Sequence, residues 1–209
     1  MKRLMRILTV LLLAIMVVAC GGNDTTSVDA NTPTGVTTEF LNALKADDSE
    51  RVNKVYAGDN MDMNSSLALN EADIDGFEKE LAESILKKIL DFDFEVSNEK
   101  IDGDKATVDV KITQYNMKTV FTKFMEDFMG KAMEMAMSGS SEDEIMKETV
   151  TIFNSSLDEA KKDYEKTVKL DLIKDGDSWK VDKIKDDSEF MNALTGGLLE
   201  WMKDMGGLF

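Results

Sequence analysis

The sequence predicts an α+β fold in which antiparallel strand hairpins are covered by helices, with a helical hairpin inserted between them. Three observations predict it. Before residue 90, apolar residues recur every three or four positions, which is typical of amphipathic helices. The period changes to two at residues 92–112 and again at 168–181, which is typical of strands with one solvated face. Helical periodicity returns between these strand pairs, so helices and strands are segregated along the chain.

The N-terminus carries the pattern of an export signal. A cluster of Lys and Arg precedes an apolar run at residues 7–18, which is shorter than the ~20 residues that a membrane span needs. Small residues follow, and then Cys20, the only cysteine of the chain. The pattern predicts a signal peptide at residues 1–19.

The end of this segment, Val17-Val18-Ala19-Cys20, resembles the lipobox of bacterial lipoproteins. The resemblance implies cleavage before Cys20 and a diacylglycerol joined to its sulfur, with palmitate-type chains. Two acyl chains give stable membrane anchoring where one gives only marginal binding. The implied location is the outer face of the cytoplasmic membrane in a Gram-positive type of cell envelope. An ordinary secretory signal with a chance cysteine is the alternative.

Composition excludes several classes of function. The 209 residues include 41 acidic and 25 basic side chains, and a net charge of -16 argues against nucleic-acid partners. Histidine is absent, which excludes imidazole bases and imidazole zinc sites. We therefore expect no metal, no cofactor and no enzymatic activity. A hydrolase or isomerase with an Asp or Glu base remains open.

Residues 20–33 are mostly polar, with two glycines directly after Cys20, which is typical of a flexible tether. Residues 34–209 are expected to form one α+β domain. Thr32 can cap a helix that has Pro33, the only proline, at its first position. Apolar residues at four-residue spacing then predict a helix that ends near residue 46.

Two more helices are expected before the strands. Asp47 and Glu50 fit a capping box for a short second helix, residues 57–70 are expected to form a loop, and a third helix follows. Its first residues, 71–82, partly match a calcium loop. The twelfth position is Ala82 where a bidentate Glu belongs, so a helix start is favoured over a calcium site.

Two strand hairpins are predicted, each with the same turn chemistry. Asp102-Gly103-Asp104 separates the first pair of strands, and Asp175-Gly176-Asp177 separates the second. Such turns suit a backbone with positive φ and need no metal to explain them. Trp179 is expected in the core of the second hairpin.

An antiparallel helical hairpin is expected at about residues 119–163. Its first helix carries a broad apolar stripe, residues 138–141 break it, and Ser141 with Glu144 forms a capping box for a second helix that extends to Tyr164. Methionine side chains are flexible and polarizable, which suits a binding face that adapts to its ligand. The candidate apolar binding residues are Phe121, Phe124, Met125, Phe128, Met129 and Met133. The alternative is that they are core covering the sheet.

The C-terminal segment is expected to form one or two helices, broken near Gly196-Gly197. Its apolar stripe runs from Phe190 to Met205. The polar face carries more acid than base, which is the wrong sign for a membrane-surface helix. Packing on the domain itself, or on another subunit, is therefore favoured.

Several segments resemble small secreted lipoproteins with a cystatin-like or nuclear-transport-factor-two-like fold, and one uncharacterised lipoprotein family of Gram-positive bacteria in particular. They are TPTGVTTEFLNALKADD at 32–48, IDGDKATVDVKI at 101–112, VKLDLIKDGDSWKVDKI at 168–184 and FMNALTGGLL at 190–199. The resemblance implies a curved antiparallel sheet wrapped on a helix. The function of that family, a domain of unknown function, is unassigned, so it implies no catalytic residue.

These observations predict a lipid-anchored extracytoplasmic binding protein, held at the membrane through Cys20. The ligand would be a small apolar molecule or lipid held between sheet and helices. The alternative is a cell-envelope interaction module that uses an exposed apolar helix face. A closed cavity would favour the first, an exposed apolar patch the second, and a cavity carboxylate with a raised pKa would favour an enzyme. The oligomeric state is not predicted.

Overall fold

The computed structural model describes residues 31–59, 61 and 76–206. The predicted signal peptide, Cys20 and the start of the calcium-like segment lie outside the described residues. Within the described part, no helix combines the length and apolar character that a membrane crossing requires.

Seven helices and four strands make up the described part, which confirms the α+β class. The helices are α1 Pro33–Lys45, α2 Ser49–Val55, α3 Gly76–Leu90, α4 Met117–Ser138, α5 Glu142–Asp158, α6 Glu189–Leu194 and α7 Leu198–Gly206. The strands are β1 Asp93–Asp102, β2 Lys105–Gln114, β3 Tyr164–Asp175 and β4 Ser178–Val181. The expected helical insertion thus corresponds to α4 and α5, between β2 and β3.

The four strands form one antiparallel sheet in the order β1-β2-β3-β4. Alternate residues of β2 and β3 are buried on one face. The opposite face is charged, and Lys169 Nζ lies 3.2 Å from Asp109 Oδ1 across these two strands. The expectation of one solvated face is therefore confirmed. Gly103 and Gly176 have φ of +60° and +62° in the two hairpin turns, as the turn chemistry predicts.

The main core lies between the inner face of the sheet and the helices α1, α3 and α6. Helix α1 contributes Phe40 and Leu41, both with no exposed surface, and Phe92 lies beside them just before β1. The helix begins as predicted, because the Thr32 hydroxyl accepts a hydrogen bond from Gly35 N at 3.1 Å and Pro33 occupies the first turn. Side chains therefore fill the space between sheet and helices.

Two local predictions are wrong. Asp48, not Asp47, caps α2, since its carboxylate accepts from Arg51 N at 3.0 Å. Asp47 instead takes a left-handed conformation, with φ of +52°, in the turn that ends α1. Tyr164 begins β3 and does not belong to the second hairpin helix, because α5 ends at Asp158. Strand pairing with Gln114 of β2 holds Tyr164 in the sheet.

Replacing Trp179 by Ala is expected to lower the free energy of unfolding by roughly 3–5 kcal/mol, because a large buried ring is lost from the core. Trp179 is buried on β4 in the main cluster, together with Val181 and Leu172. Urea unfolding followed by circular dichroism measures the change. A loss below about 1 kcal/mol would place Trp179 at the rim of the domain and contradict the assignment.

Candidate functional site

The base of the α4–α5 hairpin is anchored in a second core cluster. Met117 and Val120 of α4 pack there with Phe153 and Leu157 of α5 and with Leu198 of α7. The backbone is tied at the same place, since Met117 N donates to Gly196 O at 3.1 Å. The first two turns of α4 are therefore part of the folded core.

Aromatic contacts extend this core one turn further along the hairpin. The Phe121 ring lies 5.4 Å from Phe153 and 5.2 Å from Trp201, measured between ring centroids. The Phe124 ring lies 5.2 Å from Phe153 and 5.7 Å from Phe128. Phe121 and Phe124, both predicted as binding residues, are half-buried by these contacts and join the two helices.

The distal half of α4 is different. Met125 and Phe128 are half-buried, but Met129, Met133 and Met137 have exposed fractions of 67%, 72% and 85%. Their spacing of four residues places these three on one face of the helix. The structure therefore divides the predicted face into an inner aromatic part and an outer methionine part. We call Met129, Met133 and Met137 the methionine face.

A helix that is apolar on all sides is normally enclosed by other structure. Distal α4 is apolar on two of its sides, because Phe128, Ala132 and Met135 are half-buried on the inner side while the methionine face is open, and its charged residues lie between them on the remaining surface. Helix α5 covers only one side of α4. The outer side of α4 exposes neighbouring apolar side chains to solvent, and such exposed apolar patches are typical of interaction sites.

The hairpin tip is acidic. Residues 126–148 contain seven carboxylates and two lysines. One of the lysines, Lys131, is neutralised by Glu134 at 2.9 Å, and this contact raises the pKa of Lys131. At the turn, Ser141 and Glu144 form the predicted capping box, and the Ser141 backbone N–H lowers the pKa of the Glu144 carboxyl. The methionine face is therefore bordered by negative charge.

A polar cleft of about 530 Å³ lies at the other end of the hairpin, between the C-terminal turns of α3 and α5. Tyr115 lines this cleft, and Lys88 Nζ lies 4.3 Å from the centre of the Tyr115 ring. The Tyr115 hydroxyl donates to Asp91 at 2.9 Å, and Lys162 donates to Asp91 at 3.1 Å and to Asp93 at 3.0 Å. Sequence reasoning missed this network, since its members are far apart along the chain.

The electrostatics of the cleft do not resemble those of a carboxylate base. Burial raises the pKa of Asp91. Hydrogen bonds from Tyr115 and Lys162 lower it by more than burial raises it, so this pKa lies below its usual range. The pKa of Tyr115 is raised, mainly because its hydroxyl donates to Asp91. Both groups therefore hold their ordinary charge at neutral pH and pair with each other.

A second, open cleft of about 400 Å³ lies at the end of the sheet near Ile101, Ala106 and Leu172. Neither of these two clefts is lined by a residue of the methionine face. Over the ranges 31–59, 61 and 76–206, no three His, Cys, Asp or Glu residues converge into a set that could hold a metal ion.

Comparison with known proteins gives a family and a fold. The profile of the family "Domain of unknown function (DUF5105)" matches residues 31–195. The chain is similar in structure to a protein described as a "putative lipoprotein" (ycdA) from Bacillus subtilis subsp. subtilis str. 168, with a TM-score of 0.53 and 13% sequence identity. The match covers 78% of this chain and 56% of that chain, so this chain spans about half the length of its structural relative.

At this identity the structural likeness shows a shared fold and nothing more. No curated protein matches the chain. The narrower resemblance to cystatin-like and nuclear-transport-factor-two-like folds stays a prediction. The family match covers most of the chain, and its function is unassigned, as the resemblance in the sequence implied. The chain belongs to the DUF5105 family of domains of unknown function.

Proposed function

We propose that this chain is a lipid-anchored extracytoplasmic interaction module, in which the α4–α5 hairpin presents the methionine face to a partner protein of the cell envelope. The observation that carries the proposal is the exposure of three methionines on one helix face. A patch of this kind on an otherwise charged surface is typical of a protein interface.

The filled interior supports this function over capture of an apolar molecule between sheet and helices. Phe40 of α1, Ile89 of α3 and Phe92, just before β1, have no exposed surface. They occupy the space in which such a ligand would lie. The apolar surface that remains available is outside, on the hairpin.

Charge indicates the chemistry of the partner. The acidic tip, with Glu126 and Glu134 on α4 and Glu142 at the start of α5, would repel a second copy of the same hairpin. A partner with an apolar strip bordered by Lys or Arg would be attracted instead. An amphipathic helix with a basic rim has this chemistry, and it would cover the methionine face in a helix-in-groove manner.

The proposed membrane anchor is supported by the sequence and by the description of the structural relative. The lipobox-like segment ending at Cys20 supports lipidation, and the structural relative is itself described as a putative lipoprotein. The strongly acidic body would not lie against anionic lipid, so the hairpin would be free to meet a partner away from the bilayer. In this proposal the protein binds and does not catalyse.

Replacing Cys20 by Ser is expected to leave the protein unprocessed or released from the membrane, because the acyl chains have no attachment point. Cell fractionation and intact-mass measurement follow location and processing, and circular dichroism checks that the domain still folds. Normal processing with unchanged membrane association would contradict the lipoprotein assignment.

Cross-linking in intact cells of the natural host tests the interaction. A photo-reactive residue at Met133 should give one discrete protein adduct, while the same residue at Asp171, exposed on the outer face of the sheet, should give none. The cross-linked peptide, identified by mass spectrometry, should carry apolar residues flanked by Lys or Arg. The additional change Met129→Asp should remove the adduct. Adducts with lipid alone, with a second copy, or equally at both positions would overturn the proposal.

A further inference from the structure

The polar cleft between α3 and α5 holds polar side chains that are not engaged by the rest of the domain. Ser84 and Lys88 of α3 and Asn154 of α5 line it and are half-buried. Among the described residues, none donates to or accepts from the Ser84 hydroxyl or the Asn154 amide. Polar groups that a fold shields from water usually bind a partner. The cleft therefore offers a hydroxyl, an amide and an ammonium group to a molecule that enters it.

Opposite charges stand unpaired on the two walls of the cleft. On the α3 wall, neither Lys87 nor Lys88 forms an ion pair within the described part of the chain. On the α5 wall, the same holds for Asp158 over residues 31–59, 61 and 76–206. Asp91, the other carboxylate of the lining, is already paired with Lys162 at 3.1 Å. Two cations and one carboxylate thus face the cleft without neutralising each other.

The ends of the two helices make this arrangement of charges unusual. Both α3 and α5 end at the cleft, and a helix C-terminus carries partial negative charge. Lys87 and Lys88 lie in the last turn of α3 and offset that charge. The last turn of α5 has no basic residue, and Asp158 is its final residue. Because a carboxylate is unfavourable at this end of a helix, helix stability explains the two lysines but not Asp158.

From this arrangement we propose that the cleft binds a small zwitterion, an amino acid or a short peptide with free termini. The carboxylate of the ligand lies against Lys87 and Lys88, and its ammonium group lies against Asp158. Each contact is a charge-assisted hydrogen bond, which is stronger than a neutral one. The ammonium group also supplies the positive charge that the end of α5 lacks.

The rest of the lining suits such a ligand. Leu157 and the Tyr115 ring supply apolar surface for a ligand side chain, and the ring is held in place because its hydroxyl donates to Asp91 at 2.9 Å. Asn154 and Ser84 can each donate and accept, so they can bond a peptide amide. A volume of about 530 Å³ is typical of small-molecule sites. This site contains no residue of the methionine face, so the inference goes beyond the proposed function and does not depend on it.

Isothermal titration calorimetry tests the site with two defined probes, L-leucine and the dipeptide L-leucyl-L-leucine. They are titrated into the full chain in detergent at neutral pH. At least one should bind at one molecule per chain, and the tighter probe tells a free amino acid from a peptide. The acetylated form of that probe lacks the ammonium charge, and the amidated form lacks the carboxylate. Each should bind at least about tenfold more weakly. No binding of either probe, or equal binding of the blocked forms, would overturn the site.

Two variants locate the binding by removing one charge each. Lys88→Met keeps most of the side-chain stem and Asp158→Asn keeps the shape of the side chain, and each should weaken binding at least about tenfold. Lys147→Met and Asp143→Asn alter exposed residues of α5 that do not line the cleft, and should bind like the natural chain. Circular dichroism checks that all four variants fold. Unchanged affinity in either cleft variant, or equal weakening in all four, would contradict the proposal. Cross-linking at Met133 uses neither probe, so the two proposals fail separately.

Discussion

Replacing Gly196 by Ala is expected to prevent stable folding at room temperature. The added Cβ would lie 2.0 Å from the carbonyl oxygen of Tyr115, and this backbone atom cannot move aside as a side chain could. Gly196 also has a φ of +59° and accepts a hydrogen bond from Met117 N. Relief would require separating the α6–α7 turn from the end of β2. The loss should exceed about 4–5 kcal/mol, a large part of a typical domain's stability.

Gly103→Ala is the matched control. Gly103 has a φ of +60°, but a Cβ there would meet no atom within 4 Å. This variant should lose only the roughly 1–2 kcal/mol that a left-handed conformation costs an L-residue. Thermal unfolding of the two variants therefore separates backbone strain from steric overlap. Equal losses would contradict the close approach of Gly196 to Tyr115.

Replacing Gln114 by Leu is expected to cost about 5 kcal/mol or more, although Leu is the more apolar residue. Gln114 is fully buried, and its Nε2 donates to Ile89 O at 2.7 Å and to Leu194 O at 2.8 Å. Its Oε1 accepts from Tyr115 N at 2.8 Å. Leu would leave two buried carbonyls and one partly buried N–H without these partners, and each unsatisfied buried group costs about 1–3 kcal/mol. Urea unfolding gives the difference.

Thr195→Val serves as the comparison for Gln114. The buried Thr195 hydroxyl donates to Met191 O at 2.8 Å, but that carbonyl also accepts from the backbone N–H of Thr195. Removal of the hydroxyl therefore leaves the Met191 carbonyl with a hydrogen-bond donor, and the free energy of unfolding should fall by about 1 kcal/mol. A Gln114→Leu loss as small as this would mean that the backbone groups find other partners.

Gln114 also shows why part of the fold could not be predicted. In the structure it continues the buried series of β2 beyond the predicted apolar residues, and a polar residue there gives no indication of its partners. Those partners, the ends of α3 and α6, are 25 and 80 residues away in sequence. The same reason explains why the sequence did not predict the contacts that Tyr115 of the polar cleft and Lys162 make with Asp91. Tertiary contacts create both features, and no local pattern encodes them.

Local chemistry was predicted well where a short motif determines it. The Ser141–Glu144 capping box and the two Asp-Gly-Asp turns depend on neighbouring residues alone, and the structure contains each of them. The Asp47 prediction failed because two adjacent aspartates compete for one cap. Asp47 lies in the turn that ends α1, and Asp48 is therefore the residue that caps α2.

The candidate site was predictable as a segment but not as a surface. The stripe from Phe121 to Met133 predicted an apolar helix, and apolar periodicity cannot separate packed from open positions. The separation depends on how far α5 and α7 reach along α4. Phe121 contacts Phe153 and Trp201, while Met129 and Met133 remain exposed.

The outer side of α4 is an open apolar face and not core, and binding of the neutral dye Nile red distinguishes these two states. The variant Met129→Ala/Met133→Ala should reduce dye fluorescence, while its free energy of unfolding falls by less than about 1 kcal/mol. Met117→Ala, in the second core cluster, should cost about 2–5 kcal/mol and serves as the core control. Unchanged dye fluorescence, together with a loss of several kcal/mol in the double variant, would show that these methionines are core and that the open face does not exist.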